Sequence, residues 1–258
     1  MDGSYFAGFD LVTAALYAFW IFFLSLVLYL NRESKREGYP LVTPGKHHDR
    51  PEGFPPTPAP KFWKLPHGGT AQSPPASDPQ IPIHAVWADP TPGAPLIPTG
   101  NPMVDGVGPA AYALRRDEPD LTFDDSTPKI VPLRVAPEWS VDPKDPDPRG
   151  MTVVDADWQP AGVCVDVWID KSEVIFRYLE VEVETENGPK RVMVPVPLMV
   201  IHSDKNVIRV RTLTAEQFKL APTLKNPDTI TLREEDRVSA YVASGQLFGK
   251  PERSQPWI

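Results

Sequence analysis

Residues 11 to 30, LVTAALYAFWIFFLSLVLYL, form an apolar run without a single charge, closed by Asp10 before it and Arg32 after it. At ~1.5 Å of rise per residue, twenty residues make a helix of about 30 Å, the hydrocarbon thickness of a bilayer. No other stretch of the chain has this character, so the pattern predicts one membrane-spanning helix and a large aqueous remainder. Asp2 and Asp10 precede the run without any Lys or Arg, whereas Arg32, Lys35 and Arg36 follow it. Positive charge marks the cytoplasmic side, which predicts an N-terminus on the outer side and a cytoplasmic bulk. A cleaved signal peptide would need a basic start and a small-residue cleavage site. Here the start is acidic and RESKREGYP follows.

From Met151 onward the periodicity changes to that of short strands. VCVDVWID (163–170), FRYLEVEVET (176–185), KRVMVPVPLMVIH (190–202) and NVIRVRTL (206–213) are rich in β-branched residues and partly alternate. Glu186-Asn187-Gly188 and Ser203-Asp204-Lys205-Asn206 are turn signals. In the second strand Leu179, Val181 and Val183 share one face, and Glu180, Glu182 and Glu184 the other. Thr214-Ala215-Glu216-Gln217 predicts a capped short helix. Residues 234–247, EEDRVSAYVASGQL, predict a C-terminal helix with Val238, Tyr241, Val242 and Leu247 on one face. The expected fold is a small antiparallel barrel or rolled sheet with a short C-terminal helix, tethered to the transmembrane helix.

Proline separates these two regions. Of 33 prolines, 25 lie between Pro40 and Pro148, a density that excludes long helices and central strands. The same stretch contains Phe54, Phe62, Trp63, Leu65, Trp87, Leu96, Ile97, Tyr112, Leu114 and Trp139, which a plain solvated linker would lack. It reads as extended chain laid on another surface, its side chains filling pockets in a partner or in the downstream domain. The expected division is 1–10, the N-terminus on the outer side; 11–30, the span; 31–148, the Pro-rich extended segment; 149–250, the barrel domain with its helix; and 251–258, a tail.

A net charge of -8 argues against nucleic acid as a partner. Cys164, the one cysteine, excludes an internal disulfide and a cysteine-based zinc site. Within GVCVDVWID it reads as a small buried hydrophobe. Gly106-Val107-Gly108-Pro109-Ala110-Ala111 matches a dinucleotide fingerprint on paper, but no strand precedes it and Pro109 interrupts it. His47-His48-Asp49 lacks a matching ligand set, so no metal is expected. No segment assembles a nucleophile, base and oxyanion hole, and no enzymatic activity is expected. The carboxylates remain: Asp117, Glu118, Asp120, Asp124 and Asp125 crowd one loop, and Asp166, Asp170 and Glu173 bracket a hairpin. Solubility explains them simply; acidic groups along a wet groove can also pass protons inward.

Several segments, in order, resemble the H subunit of the photosynthetic reaction centre of purple bacteria: FDLVTAALYAFWIFF (9–23), REGYPL (36–41), KFWKLPHGG (61–69), PTGNPMVDGVGPAAYALRRD (98–117), VDVWIDKSEVIFRYLEVEV (165–183) and EEDRVSAYVASG (234–245). The resemblance implies a cytoplasmic β-barrel of the kind named after that complex. It implies a subunit that binds no pigment itself, caps the cytoplasmic faces of the L and M subunits, and carries part of the proton route to the secondary quinone. The complex is then expected to hold bacteriochlorophyll, bacteriopheophytin, quinones and a non-haem iron on L and M. Membrane lipid is a further expected partner, with room for a cytochrome subunit and antenna proteins.

Residue by residue, the resemblance assigns Glu173 and Asp170 as relay carboxylates and Arg177 as their charge partner. It places Arg32, Lys35, Arg36 and Tyr39 at a lipid and subunit interface. The family's proton-entry loop carries a histidine pair; here the loop reads DEPDLTFDDSTPK without histidine, and Asp124 and Asp125 occupy the region as expected relays. The alternative reading is a membrane-tethered adaptor that uses its small barrel to bind another protein.

Overall fold

The computed structural model describes residues 10–39, 53–74, 82–91 and 94–253. His47-His48-Asp49 lies outside the described residues. The chain divides into two compact units, one of residues 1–81 with 89–95, the other of 82–88 with 96–258.

In the first unit, α1 (Leu11–Glu33) starts at Asp10, whose carboxylate accepts the Thr13 N–H at 2.7 Å. None of its residues is buried, and Leu24 and Ile21 are 61% and 69% exposed. A helix apolar on every side and covered by nothing belongs in a nonpolar solvent, and Leu11–Arg36 is long and apolar enough to cross a bilayer. A 3₁₀ turn, Ser34–Arg36, ends it. Strands β1 (Lys61–Lys64) and β2 (Thr70–Ser73) form an antiparallel hairpin with Phe62 opposite Gln72. Lys35 is buried and donates to the Pro55 carbonyl at 2.6 Å, with its ammonium 5.4 Å from the Tyr39 ring. Arg36 reaches the carbonyls of Ala59 and Ser73 and the Glu33 carboxylate, each at 2.9 Å. Lys35 and Arg36 thus direct their donors at their own chain, while Arg32 is exposed.

The second unit contains β3 (Ala85–Trp87) and β4 (Leu96–Pro98), which pair with each other; a short α2 (Pro102–Asp105); and β5 (Ile130–Pro132), β6 (Thr152–Val154), β7 (Pro160–Asp170), β8 (Ile175–Thr185), β9 (Gly188–Pro195), β10 (Met199–His202) and β11 (Val207–Val210). Two helices follow, α3 (Ala215–Leu220) and α4 (Leu232–Phe248). The main sheet runs β10-β11-β6-β7-β8-β9, with β5 alongside β7. It is mainly antiparallel and curled, as expected, although β11 and β6 pair in parallel. The expected strand over 190–202 is divided: Pro195 and Pro197 cannot donate to a ladder, and a 3₁₀ turn at Val196–Leu198 separates β9 from β10.

Alternation along β7 and β8 sends Val167, Ile169, Leu179, Val181 and Val183 into the main core. The opposite face is covered as well. Trp168, Tyr178 and Met193 pack there with Ile130, Ile230 and Val238 of α4, and Glu180 among them is buried, at 2% exposure. Of the three glutamates, Glu182 and Glu184, farther along β8, are partly or fully exposed. Met103, Val131, Leu133 and Ala136 also belong to the main core, so residues of the Pro-rich stretch build this unit. Cys164 is fully buried, and burial pushes its thiol up to about 12. The glycine-rich 106–108 segment is a turn: Gly106 caps α2 at φ 68° and Gly108 adopts φ 62°.

Both helices start with reciprocal caps. Thr214 and Gln217 close α3, and Thr231 and Glu234 close α4 two residues upstream of its expected start. On α4, Val238, Tyr241 and Val242 are buried as the pattern predicts, with Leu247 half-buried. Gly245 lies against the chain at Thr212, where a Cβ would stand 2.4 Å from the carbonyl oxygen.

Candidate functional site

The β7–β8 hairpin turns through Lys171–Val174, and its geometry depends on Asp170. The Asp170 side chain has no exposed surface. Its Oδ1 accepts the N–H groups of Ser172 and Glu173, each at 3.0 Å, which folds the loop back over the strand end. Its Oδ2 receives Arg177 Nε at 3.2 Å and lies 3.5 Å from Lys129 Nζ. A buried carboxylate with two cations and two amide donors is a compensated charge. Glu173 stands at the rim, half exposed, 2.7 Å from Arg177 Nη2 and 3.8 Å from Lys129 Nζ.

Burial works against the Arg177 charge, but Asp170 and Glu173 together hold its guanidinium above the ordinary arginine value. The structure therefore brings together three of the expected residues, Asp170, Glu173 and Arg177. It adds Lys129, which the sequence reading did not single out. Lys129 reaches this place because β5 pairs with β7 in register Ile130 to Asp170, and because its N–H and C=O bond to Asp120 and Lys171. Its ammonium also lies 3.9 Å from Asp120.

Asp124 and Asp125 sit apart from this cluster, on the exposed tip of the 121–128 loop. Asp125 accepts from the hydroxyls of Thr122 and Thr127 and from the Thr127 N–H. These bonds hold its carboxyl below the usual carboxylate range. It staples the loop, and the Thr127 hydroxyl in turn accepts from Lys171 Nζ at 2.6 Å. Asp124 makes no side-chain hydrogen bond or ion pair among the described residues.

A second group on the same sheet face went unmarked by pattern. Tyr178, two residues before Glu180 on β8, donates its hydroxyl to Glu235 of α4 at 3.2 Å. Burial pushes the Glu235 carboxyl above its ordinary value, opposed in part by the Tyr178 bond and by Arg115 and Arg177. Burial, and next the Glu235 charge, push the Tyr178 phenol up as well. Further along, Glu180 accepts Trp168 Nε1 at 3.0 Å, Arg134 at 2.5 Å and Arg191 at 2.9 Å. Asp166 takes Arg134 Nη1 at 3.0 Å. Only tertiary pairing shows these groups; alternation alone points Glu180 at water.

Among the described residues no group of three or more His, Cys, Asp or Glu side chains could hold a metal ion. Chemically, the arrangement is a set of carboxylates graded from buried to exposed, held by cations that keep charge tolerable off bulk water.

Residues 3–135, just over half of the chain, match the family model described as the photosynthetic reaction centre, H-chain N-terminal region. Residues 144–217 match the PRC-barrel domain, which covers β6 to β11 and the start of α3. With an apolar helix of spanning length and a curled sheet in the barrel-domain region, the chain belongs to the photosynthetic reaction centre H-chain family and is a membrane-anchored subunit of that complex.

Proposed function

We propose that this chain caps the cytoplasmic faces of the L and M subunits and carries part of the proton path to the secondary quinone. The helix holds it in the membrane with the N-terminus periplasmic, the parts of the 31–148 segment that do not build the second unit lie against partner subunits and lipid, and the barrel domain stands in the cytoplasm. Bacteriochlorophyll, bacteriopheophytin, quinones and the iron belong to L and M, and this chain contributes no active site. Arg32 and Tyr39, beside the inward-turned Lys35 and Arg36, stand where lipid and subunits meet.

One observation supports the proton path above all: Asp170, Glu173 and Asp120 converge on Lys129, with Arg177 bridging the first two. A quinone that takes up two protons away from bulk water needs groups that accept a proton outside and release it inside. A carboxylate can do so only where nearby cations compensate its ionised form and it can still take up a proton. Glu173 combines exposure with that compensation and is the first relay; Asp170, buried behind it, is the second. Asp124, exposed and unpaired among the described residues, is a collecting group at the loop tip, and Asp125 holds that loop in shape.

A near-infrared spectrum of the material that co-purifies with this chain from gently solubilised native membranes tests the assignment. Bacteriochlorophyll and bacteriopheophytin bands that bleach reversibly in light support it. A colourless preparation that retains intact partner proteins would favour the tethered adaptor and remove the proton path.

A further inference from the structure

The first unit leaves large apolar groups uncovered just beyond the helix: Phe54 is 82% exposed, Phe62 67% and Trp63 46%. Scattered exposed hydrophobics mean little by themselves. These are fixed in place. Glu33, the last residue of α1, receives Lys61 of β1 at 2.6 Å. Arg36 holds the carbonyls of Ala59 and Ser73, both at the open end of the hairpin where Lys61 pairs with Ser73, and Lys35 holds Pro55, next to Phe54. The uncharged run ends at Leu30, so Glu33 lies about 5 Å of helical rise beyond it. That depth is the headgroup layer of a bilayer.

The residues suit that layer. In β1, Lys61-Phe62-Trp63-Lys64, Trp63 and Lys61 share one face and Phe62 and Lys64 the other. Each face offers an aromatic ring and an ammonium on a flexible stem, the pairing that lets a side chain hold its ring in the acyl boundary and its charge in water. A hairpin pressed on one protein surface would carry its apolar groups on one face; this one carries them on both. Trp63 also lines an open cleft of about 560 Å³ with Glu33, Arg36 and Glu37.

We infer that the β1–β2 hairpin and Phe54 form a second membrane contact, immersed in the phospholipid headgroup layer beside the emerging helix. The inference rests on the membrane-anchor reading of α1, and the test separates the two. Nitroxides are placed at Phe54→Cys, Phe62→Cys, Leu24→Cys and Glu216→Cys in the full chain, assembled with its partner subunits and reconstituted into phospholipid nanodiscs. Buried Cys164 is left in place, and a Cys164→Ser background is the parallel series. Collision with oxygen and with a water-soluble nickel chelate is measured at each label.

Labels at 54 and 62 are expected to show an oxygen-to-nickel ratio several-fold above that at 216 and below that at 24, with broadening by headgroup-labelled lipid. A nickel accessibility equal to that at 216 overturns the inference, as does protection from both probes, which would mean cover by protein. A low oxygen ratio at 24 would overturn the anchor itself.

Discussion

Lys129 holds its ammonium 3.5 Å from the Oδ2 of Asp170, a carboxylate without exposed surface. The two residues lie 41 positions apart and meet because three residues of a Pro-rich segment, β5, add to the edge of β7. Arg177 alone would then balance Asp170 if Lys129 were neutral. Lys129→Met is expected to destabilise the full chain by about 1–2 kcal/mol. Urea unfolding in detergent followed by circular dichroism checks this; an unchanged midpoint would mean that Arg177 suffices.

Glu235 gives a dependence on pH. Burial raises its folded-state value above that of the unfolded chain, so the folded state prefers the protonated form. Its favourable contribution is complete below the ordinary glutamate value near 4.5 and is lost as pH rises through the folded value. Glu235→Gln, which still accepts from Tyr178, should therefore stabilise the protein relative to wild type at neutral pH, with the difference shrinking toward pH 4. Thermal unfolding across pH 4 to 8 reads this directly; a constant difference would refute the assignment.

Val174 closes the Asp170 loop at φ 56°, a left-handed conformation that a β-branched residue adopts only under strain. Val174→Gly is expected to add up to about 1 kcal/mol of stability, the released strain exceeding the extra chain entropy. Loss of stability would show that the exposed isopropyl group packs usefully.

Gly245 tests the seat of α4. Its hydrogen faces the Thr212 carbonyl, and a Cβ there would lie at 2.4 Å. Gly245→Ala should cost about 2 kcal/mol despite alanine's better helix propensity, with a matching fall in the urea midpoint.

Much of this was legible in the sequence, and the exceptions have physical reasons. The helix over 11–30 and the strands around 163–170 and 176–185 follow from unbroken apolarity and from alternation, both local signals. The capped start of α3 follows from Thr214 and Gln217 in the same way. Burial of Glu180 was not legible, because alternation reports which face a side chain takes and not whether another element covers that face; α4 and the segment around Ile230 do. The site was half legible. Asp170, Glu173 and Arg177 share one hairpin, within eight residues. Lys129 and Glu235 join them only through β5 pairing and α4 docking, which no local pattern encodes. Lys35 and Arg36 read as surface charges until the carbonyls of residues 55, 59 and 73 fold back to them.

The central claim is that Glu173 passes protons toward the secondary quinone. The direct measurement is flash-induced transfer of the second electron in assembled reaction centres carrying Glu173→Gln, which keeps the shape and removes the ionisable proton. The account predicts second-electron transfer slowed by about tenfold or more near neutral pH, with primary charge separation unchanged. Second-electron kinetics that match wild type across the pH range would contradict it.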